Sequence, residues 1–303
     1  MREIRGKCLE TMYSPIRSVM SHIQESLINI APENKELFEK VYPDFILEYI
    51  DTPKWILNVE IDKKHIKLSR RVVEIFWSVS YGYITFYTKV IQSKKVVTKT
   101  DINLQENEEV KKATLLLKWV YESWLNNVDD SWPDDLPKPI ENPRKGIMEN
   151  VADELCLCSI AYLIHHELAH INLLHSGESS ITIEKEADTA ATDWLLNHSL
   201  DEWDYKFIKR ALGIAIAFEV ITAHGIYTGN FDGVTHPYHY DRLYNNLNRY
   251  IIDPLHIVWA LIASTLKLHL DNKKINTPDI IYKDFKECVN SYIDLLSIMA
   301  HKK

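Results

Sequence analysis

At 303 residues, with 46% hydrophobic and 26% charged side chains, the chain has the composition of a globular protein with room for a sizeable core. A formal net charge of −8 gives no basis for expecting nucleic acid as a partner, and eight glycines with eleven prolines argue against long disordered or repetitive tracts. The start, Met1-Arg2-Glu3-Ile4-Arg5, leads into no apolar block, and the longest uncharged run, Ile75 to Thr88, falls short of the ~18 residues of a membrane span, so a cytoplasmic protein without a membrane span is expected.

Ser14-Pro15 starts a helix, with a hydroxyl cap and proline at the first helical position. Ile16, Val19, Met20, Ile23 and Leu27 continue it at helical spacing, and Pro32 closes it. Trp55, Leu57, Val59 and Ile61 alternate with Asn58 and Glu60, Asp62-Lys63-Lys64 turns, and Ile66 and Leu68 resume the alternation. This predicts a hairpin, with Phe45-Ile46-Leu47 as a candidate third strand. From Ser69 to about Ile91, Val72, Phe76, Val79, Tyr83 and Tyr87 favour a helix, although the aromatic and β-branched content also suits strands. A clearer helix runs from Asn107 to Leu125.

Pro133, Pro137, Pro139 and Pro143 make Asp129 to Gly146 an irregular connector, either a linker between domains or a strap packed near the site. The next helix is expected to open at Asn150 as cap and to run to about His175, with Gly177 as its stop. Leu155, Leu157, Ile160, Ala161, Leu163, Ile164, Leu168, Ile171 and Leu174 make it apolar on nearly every face, which places it in the core. Further helices follow over Glu184 to Asn197, Trp203 to about Ala223, Arg242 to Tyr250, Leu255 to Leu270 and Asp279 to Met299. The four cysteines, Cys8, Cys156, Cys158 and Cys288, form no Cys-x-x-Cys pair and read as reduced thiols.

The core helix carries His166-Glu167-x-x-His170, the pattern of zinc peptidases. Four residues rotate a helix to within about 40° of the starting direction, so both imidazoles can reach one ion. Glu167, beside that face, can take a proton from the attacking water. A catalytic zinc usually takes three protein ligands. Downstream, Ala187, Ala191, Trp194 and Leu195 define a buried stripe that Glu184 and Asp188 continue, whereas Glu186 falls with Thr189, Asp193 and Asn197 on the polar side. Glu184 is therefore the expected third ligand and Asp188 the group that orients a ligand imidazole from outside. The rival, His175, fails the metzincin spacing, which needs glycine at 173 and histidine at 176, where this chain has Leu173 and Ser176. His165 lies off the ligand face and reads as a structural histidine or one that supports a ligand from outside.

Several separate blocks resemble the Lit phage-exclusion metallopeptidases. They are Glu122-Ser123-Trp124, Ser131-Trp132-Pro133 with Pro137-Lys138-Pro139, and Ile164-His165-His166-Glu167 through His170. Further on come Glu184-x-Glu186-Ala187-Asp188, Lys209-Arg210-Ala211-Leu212-Gly213-Ile214-Ala215 and Thr235-His236-Pro237-x-x-Tyr240-Asp241-Arg242. The first hundred or so residues match only loosely. The resemblance implies a cytoplasmic zinc endopeptidase of abortive infection that cleaves translation elongation factor Tu when a phage head-protein peptide is present. The Glu-x-x-x-Asp and His-Pro-x-x-x-x-Arg pairing is also similar to gluzincins related to prenyl-protein proteases. That likeness implies oxyanion stabilisation by His236, assisted by Tyr240, with Arg242 holding the loop or nearby carboxylates.

The resulting expectation is a predominantly α-helical α+β fold: a zincin-like core with a small antiparallel sheet in the N-terminal third. Its organisation would be a mixed region at 1–128, the proline-rich connector at 129–149 and the helical peptidase core at 150–303, packed as one compact unit. The expected chemistry is peptide hydrolysis with one Zn²⁺ on His166, His170 and Glu184, with Glu167 as general base and the hairpin edge accepting an extended peptide. The alternatives are a protease acting on a repressor or other regulatory protein, and a non-catalytic protein that zinc merely staples.

Overall fold

The computed structural model describes residues 2–4, 12–41, 44–91, 107–175, 180–196 and 200–301. Strand β1 (Arg2–Ile4) precedes two short helices, α1 (Arg17–Met20) and α2 (Ile23–Asn29), which divide the single helix expected after Pro15. After a 3₁₀ turn at Pro32–Asn34 come α3 (Lys35–Val41), β2 (Ile46–Ile50), β3 (Leu57–Glu60) and β4 (His65–Ser69). The predicted hairpin is β3–β4, turned by a 3₁₀ segment at Ile61–Lys63 and left-handed Lys64, with Leu57 opposite Leu68 and Glu60 opposite His65.

The fold is α+β and mostly helical, as expected, but the sheet is mixed rather than antiparallel. Its order is β1-β2-β4-β3, and both β1–β2 and β2–β4 run parallel. The segment between β2 and β3 crosses over, and Ser69 holds its end against β4. The Ser69 hydroxyl donates to the Lys54 carbonyl and accepts from the Ile56 amide, and the Ser69 amide donates to the Ile56 carbonyl. Among the described residues this leaves β3 as an edge strand with one side unpaired.

Helix α4 (Arg70–Phe86) settles the ambiguous stretch as helix and is buried along its whole length. It ends in a π-turn at Tyr87–Ile91. Helix α5 (Glu108–Leu125) is capped by the Asn107 carboxamide, which accepts from the amides of Glu109 and Val110. The proline-rich connector lies as a strap on these helices. Arg71, fully buried, donates to the Val128 carbonyl, Arg70 binds Asp129, and Trp132 packs on Trp77 and Trp119.

The core helix, α6 (Met148–Asn172), begins two residues before Asn150, whose side chain accepts from the Gly146 amide and so anchors the strap to the first turn. Its last regular residue is Asn172, and the proposed stop at Gly177 lies outside the described residues. Leu174, at φ 55°, takes the left-handed position instead. The His175 amide then bonds the His170 carbonyl and the Leu174 amide the Ile171 carbonyl, which is the Schellman ending. Helix α7 (Ile181–Leu196) starts three residues before Glu184, with the Ser180 hydroxyl accepting from the Ile183 amide. Asn197 lies outside the described residues.

Four further helices complete the fold: α8 (Tyr205–Thr228), α9 (His239–Asn248), α10 (Ile257–Asn272) and α11 (Phe285–His301). Helix α8 is long and apolar enough to cross a membrane, yet 78% of its apolar window is buried inside the fold, where it packs on α6. At their contact Gly213 meets Cys158 so closely that a Cβ would stand 2.4 Å from that of Cys158. Cys156, Cys158 and Cys288 are free and buried. Arg210 in α8 donates to the Leu195 carbonyl and pairs with Glu33, while the Asn34 amide group bonds the Trp194 carbonyl. The N-terminal segment thereby clamps the end of α7 against α8.

Candidate metal centre

Helical phase brings the two motif histidines together on α6, and α7 folds back to meet them. His166 Nε2 and His170 Nε2 stand 3.2 Å apart. Glu184 closes the group, with Oε2 at 3.3 Å from His166 Nε2 and Oε1 at 3.8 Å from His170 Nε2. All three residues are less than 9% exposed, and together they could hold a metal ion. Donors around a tetrahedral zinc at about 2.0–2.1 Å would stand about 3.3 Å from one another, which this group approaches before any ion is considered.

The two rings differ in their electrostatic surroundings. His166 Nδ1 lies 2.9 Å from Asp188 Oδ1. Burial works against a charged His166, but Asp188 and then Glu184 outweigh it and raise its pKa to about 9. His170 is pushed down to about 4 by burial and then by His166. One proton is thus favoured on this pair of rings, beside the Asp188 and Glu184 carboxylates, and a second is disfavoured.

Asp188 is the pivot of the surrounding network. It is 1% exposed and receives Arg242 through two bonds of 2.7 Å, with Tyr162 donating at 3.2 Å. Burial opposes its ionised form, but Arg242 prevails and holds its pKa below the usual carboxylate range. Arg242, from α9, also reaches within 3.9 Å of Glu184 Oε2 and lies over the Phe218 ring. It therefore bridges α9 to both carboxylates on α7.

Glu167 sits among these charges. Its pKa is raised, first by burial and also by Glu184, against the opposing pull of His166, Arg242 and His236. His236 comes from the loop between α8 and α9 and places Nε2 3.5 Å from Glu184 Oε2. The loop is shaped by Asp232, a residue the motifs did not single out. Asp232 takes a left-handed backbone (φ 60°), and its carboxylate accepts from the Val234 and Thr235 amides and the Thr235 hydroxyl. The same carboxylate lies 2.8 Å from His236 Nδ1, so it holds the ring by the far nitrogen. Burial raises and these donors lower the Asp232 pKa, which ends below the carboxylate range. Asp232-Gly233 ahead of Thr235-His236 was the available signal, since that pair favours left-handed turns.

Tyr240 is placed elsewhere. It is 1% exposed, stacks on Tyr238 and packs edge-on against Phe231, and among the described residues no bond or ring contact links it to the two histidines or Glu184. His165 is structural, as expected: Nε2 bonds the Leu27 carbonyl and the ring stacks on Trp194. His175, dismissed as a ligand by spacing, instead touches the outer nitrogen of His170, Nδ1 to Nδ1 at 3.0 Å. Glu186, assigned to the polar side, contacts His175 Nε2 at 3.1 Å.

The peptidase U49 family model matches residues 66–262, which span α4 to α10 and every residue of this centre. The chain belongs to the peptidase U49 family. It is also 31% identical over 278 residues to the "Cell death peptidase" of Escherichia coli (strain K12), covering 88% of this chain and 92% of that protein. No solved structure matches. Membership makes the chain a peptidase and agrees with the Lit-like character expected from its motif blocks, and the buried histidine–histidine–glutamate group lies inside the matched segment.

Proposed function

We propose that this U49 peptidase is a zinc-dependent endopeptidase, gluzincin in its ligand set, with His166, His170 and Glu184 holding one Zn²⁺. The convergence of those three side chains at inter-donor distances suited to one tetrahedral ion carries the proposal. When bound, the ion supplies Lewis-acid polarisation of water and of the scissile carbonyl.

The remaining work falls to side chains of this chain. Glu167, its pKa raised by burial, accepts the proton of the attacking water and passes it to the leaving amine, a role worth ~10²–10⁴-fold. His236, held at Nδ1 by Asp232 and facing Glu184 through Nε2, donates through Nε2 to the developing oxyanion when its ring carries both protons. Tyr240 has no part in this step, because its ring is committed to the packing of Phe231 and Tyr238. Asp188 and Arg242 position the ligands. Strand β3, unpaired on its outer side among the described residues and in contact with α6, offers an edge on which an extended peptide adds as a strand.

The biological setting we propose is abortive phage infection in the cytoplasm, with translation elongation factor Tu as substrate and a phage-derived peptide as trigger. The motif blocks shared with Lit-type peptidases and the likeness to a cell death peptidase support this reading. The test is expression of wild type and Glu167→Gln in bacteria under phage challenge, with labelling of new protein N-termini. Cleavage of elongation factor Tu with wild type only is expected. An intact factor in wild-type cells rejects the substrate, cleavage of a repressor moves the enzyme to regulatory proteolysis, and full protection by Glu167→Gln rejects catalysis in favour of zinc as a staple.

A further inference from the structure

We infer that His175 and Glu186 form a positioning relay behind His170, fixing the tautomer in which His170 presents its Nε2 lone pair to the metal. The inference rests on reading His170 as a ligand.

Each ligand imidazole needs its proton on Nδ1 so that Nε2 is free to coordinate, and therefore needs an acceptor at Nδ1. For His166 the group beside Nδ1 is the Asp188 carboxylate, 2.9 Å away. For His170 the Nδ1 neighbour is another ring nitrogen, His175 Nδ1. Such a contact is a hydrogen bond only if one nitrogen carries the proton and the other the lone pair. Glu186 decides which. An ionised carboxylate only accepts, so the proton of neutral His175 belongs on Nε2, 3.1 Å from Glu186 Oε2. His175 Nδ1 then has the lone pair, accepts from His170 Nδ1–H, and leaves His170 Nε2 bare. The reverse tautomer would set a lone pair against a carboxylate and put a proton on His170 Nε2, facing His166 Nε2 and Glu184.

The backbone is arranged to make this contact. Leu174 holds a left-handed conformation that a leucine adopts reluctantly, and at 77% exposure its side chain gains little packing there. The left-handed residue folds the chain back so that the imidazole of His175 lies under that of His170. The His175 ring is nearly buried and both its nitrogens are engaged, one by His170 and one by Glu186, so it has none left to coordinate. Glu186, 56% exposed at its side chain, forms the surface end of the relay.

Zinc affinity of the full chain, measured by competition with a chromophoric chelator, tests the inference, together with the visible spectrum of the Co²⁺-loaded protein. His175→Phe keeps a ring and removes the acceptor; it should weaken zinc binding about 10–100-fold and shift the Co²⁺ bands. His175→Asn, which can offer a carbonyl oxygen near the same place, should recover most of that loss. Glu186→Lys, at an exposed position that folding tolerates, replaces an acceptor with donors and should weaken binding in the same direction as His175→Phe. Affinity within about twofold of wild type in both His175→Phe and Glu186→Lys overturns the inference. So does complete loss of metal in His175→Phe and His175→Asn alike, which would make His175 a ligand. Failure of the wild type to bind zinc is a separate result: it removes the metal reading, and this inference with it.

Discussion

Replacing Arg242 tests whether a buried ion pair holds the two halves of the centre together. Arg242→Met keeps much of the side-chain volume over Phe218 but leaves the Asp188 carboxylate, 1% exposed, with Tyr162 and His166 as its remaining partners among the described residues. Breaking a buried pair by removing one member typically costs 3–5 kcal/mol, roughly what is expected here, because both 2.7 Å bonds disappear and the charge stays behind. Asp188→Asn should also destabilise, by about 2–4 kcal/mol, since Arg242 loses its carboxylate and keeps a neutral amide oxygen and Glu184 at 3.9 Å. The double variant removes both charges, so its cost should fall short of the sum by about 2 kcal/mol or more. Urea unfolding with chelator present excludes stabilisation by metal from the measurement. Single variants costing less than about 1 kcal/mol, or costs that simply add, would refute the reasoning.

Three further outcomes are expected. His236→Ala should lower kcat about 10²–10³-fold while zinc affinity stays near wild type, and a loss confined to KM would reassign the residue to substrate binding. Gly213→Ala drives a Cβ to 2.4 Å from Cys158 Cβ and should lower stability by about 1–3 kcal/mol. Cys158→Ala should not rescue it, because the clash involves Cβ and backbone rather than sulfur, and a neutral Gly213→Ala in thermal unfolding would show that α6 and α8 yield. Asp153, which accepts from the Trp77 indole, has its pKa raised by burial to about 6. The folded state therefore binds this proton more tightly than the unfolded chain, and the resulting stability is present below pH 3.8 and lost as pH rises through 6. Asp153→Asn should stabilise the fold at pH 7 by roughly 1 kcal/mol after discounting for partial exposure, with the gain gone below about pH 4. A gain that persists in acid would contradict the assignment.

Local patterns carried much of this architecture. Helical phase alone grouped His166 with His170 and Glu184 with Asp188, because positions four apart share a face whatever surrounds them. Alternation revealed the β3–β4 hairpin. It could not reveal that β2 lies parallel to β4, since parallel and antiparallel neighbours bury the same alternate residues. Phase placed Glu186 correctly but could not show its partner. It lies on the exposed side of α7, as predicted, yet the left-handed turn at Leu174 carries His175 out to meet it. Tyr240 failed for the opposite reason: proximity in sequence to His236 does not survive the turn into α9, which points the ring into the packing against Tyr238. Asp232 was hidden because its role depends on loop geometry rather than on spacing within a helix.

The central claim is that His166, His170 and Glu184 hold one zinc ion and that Glu167 acts beside it without holding it. Metal content of the purified chain, by atomic emission, addresses this most directly in wild type, Glu167→Gln, His166→Ala and Glu184→Ala. The account predicts one zinc per chain in wild type and Glu167→Gln, and depleted zinc in the other two. Zinc absent from the wild type, or retained in full by His166→Ala, would contradict it.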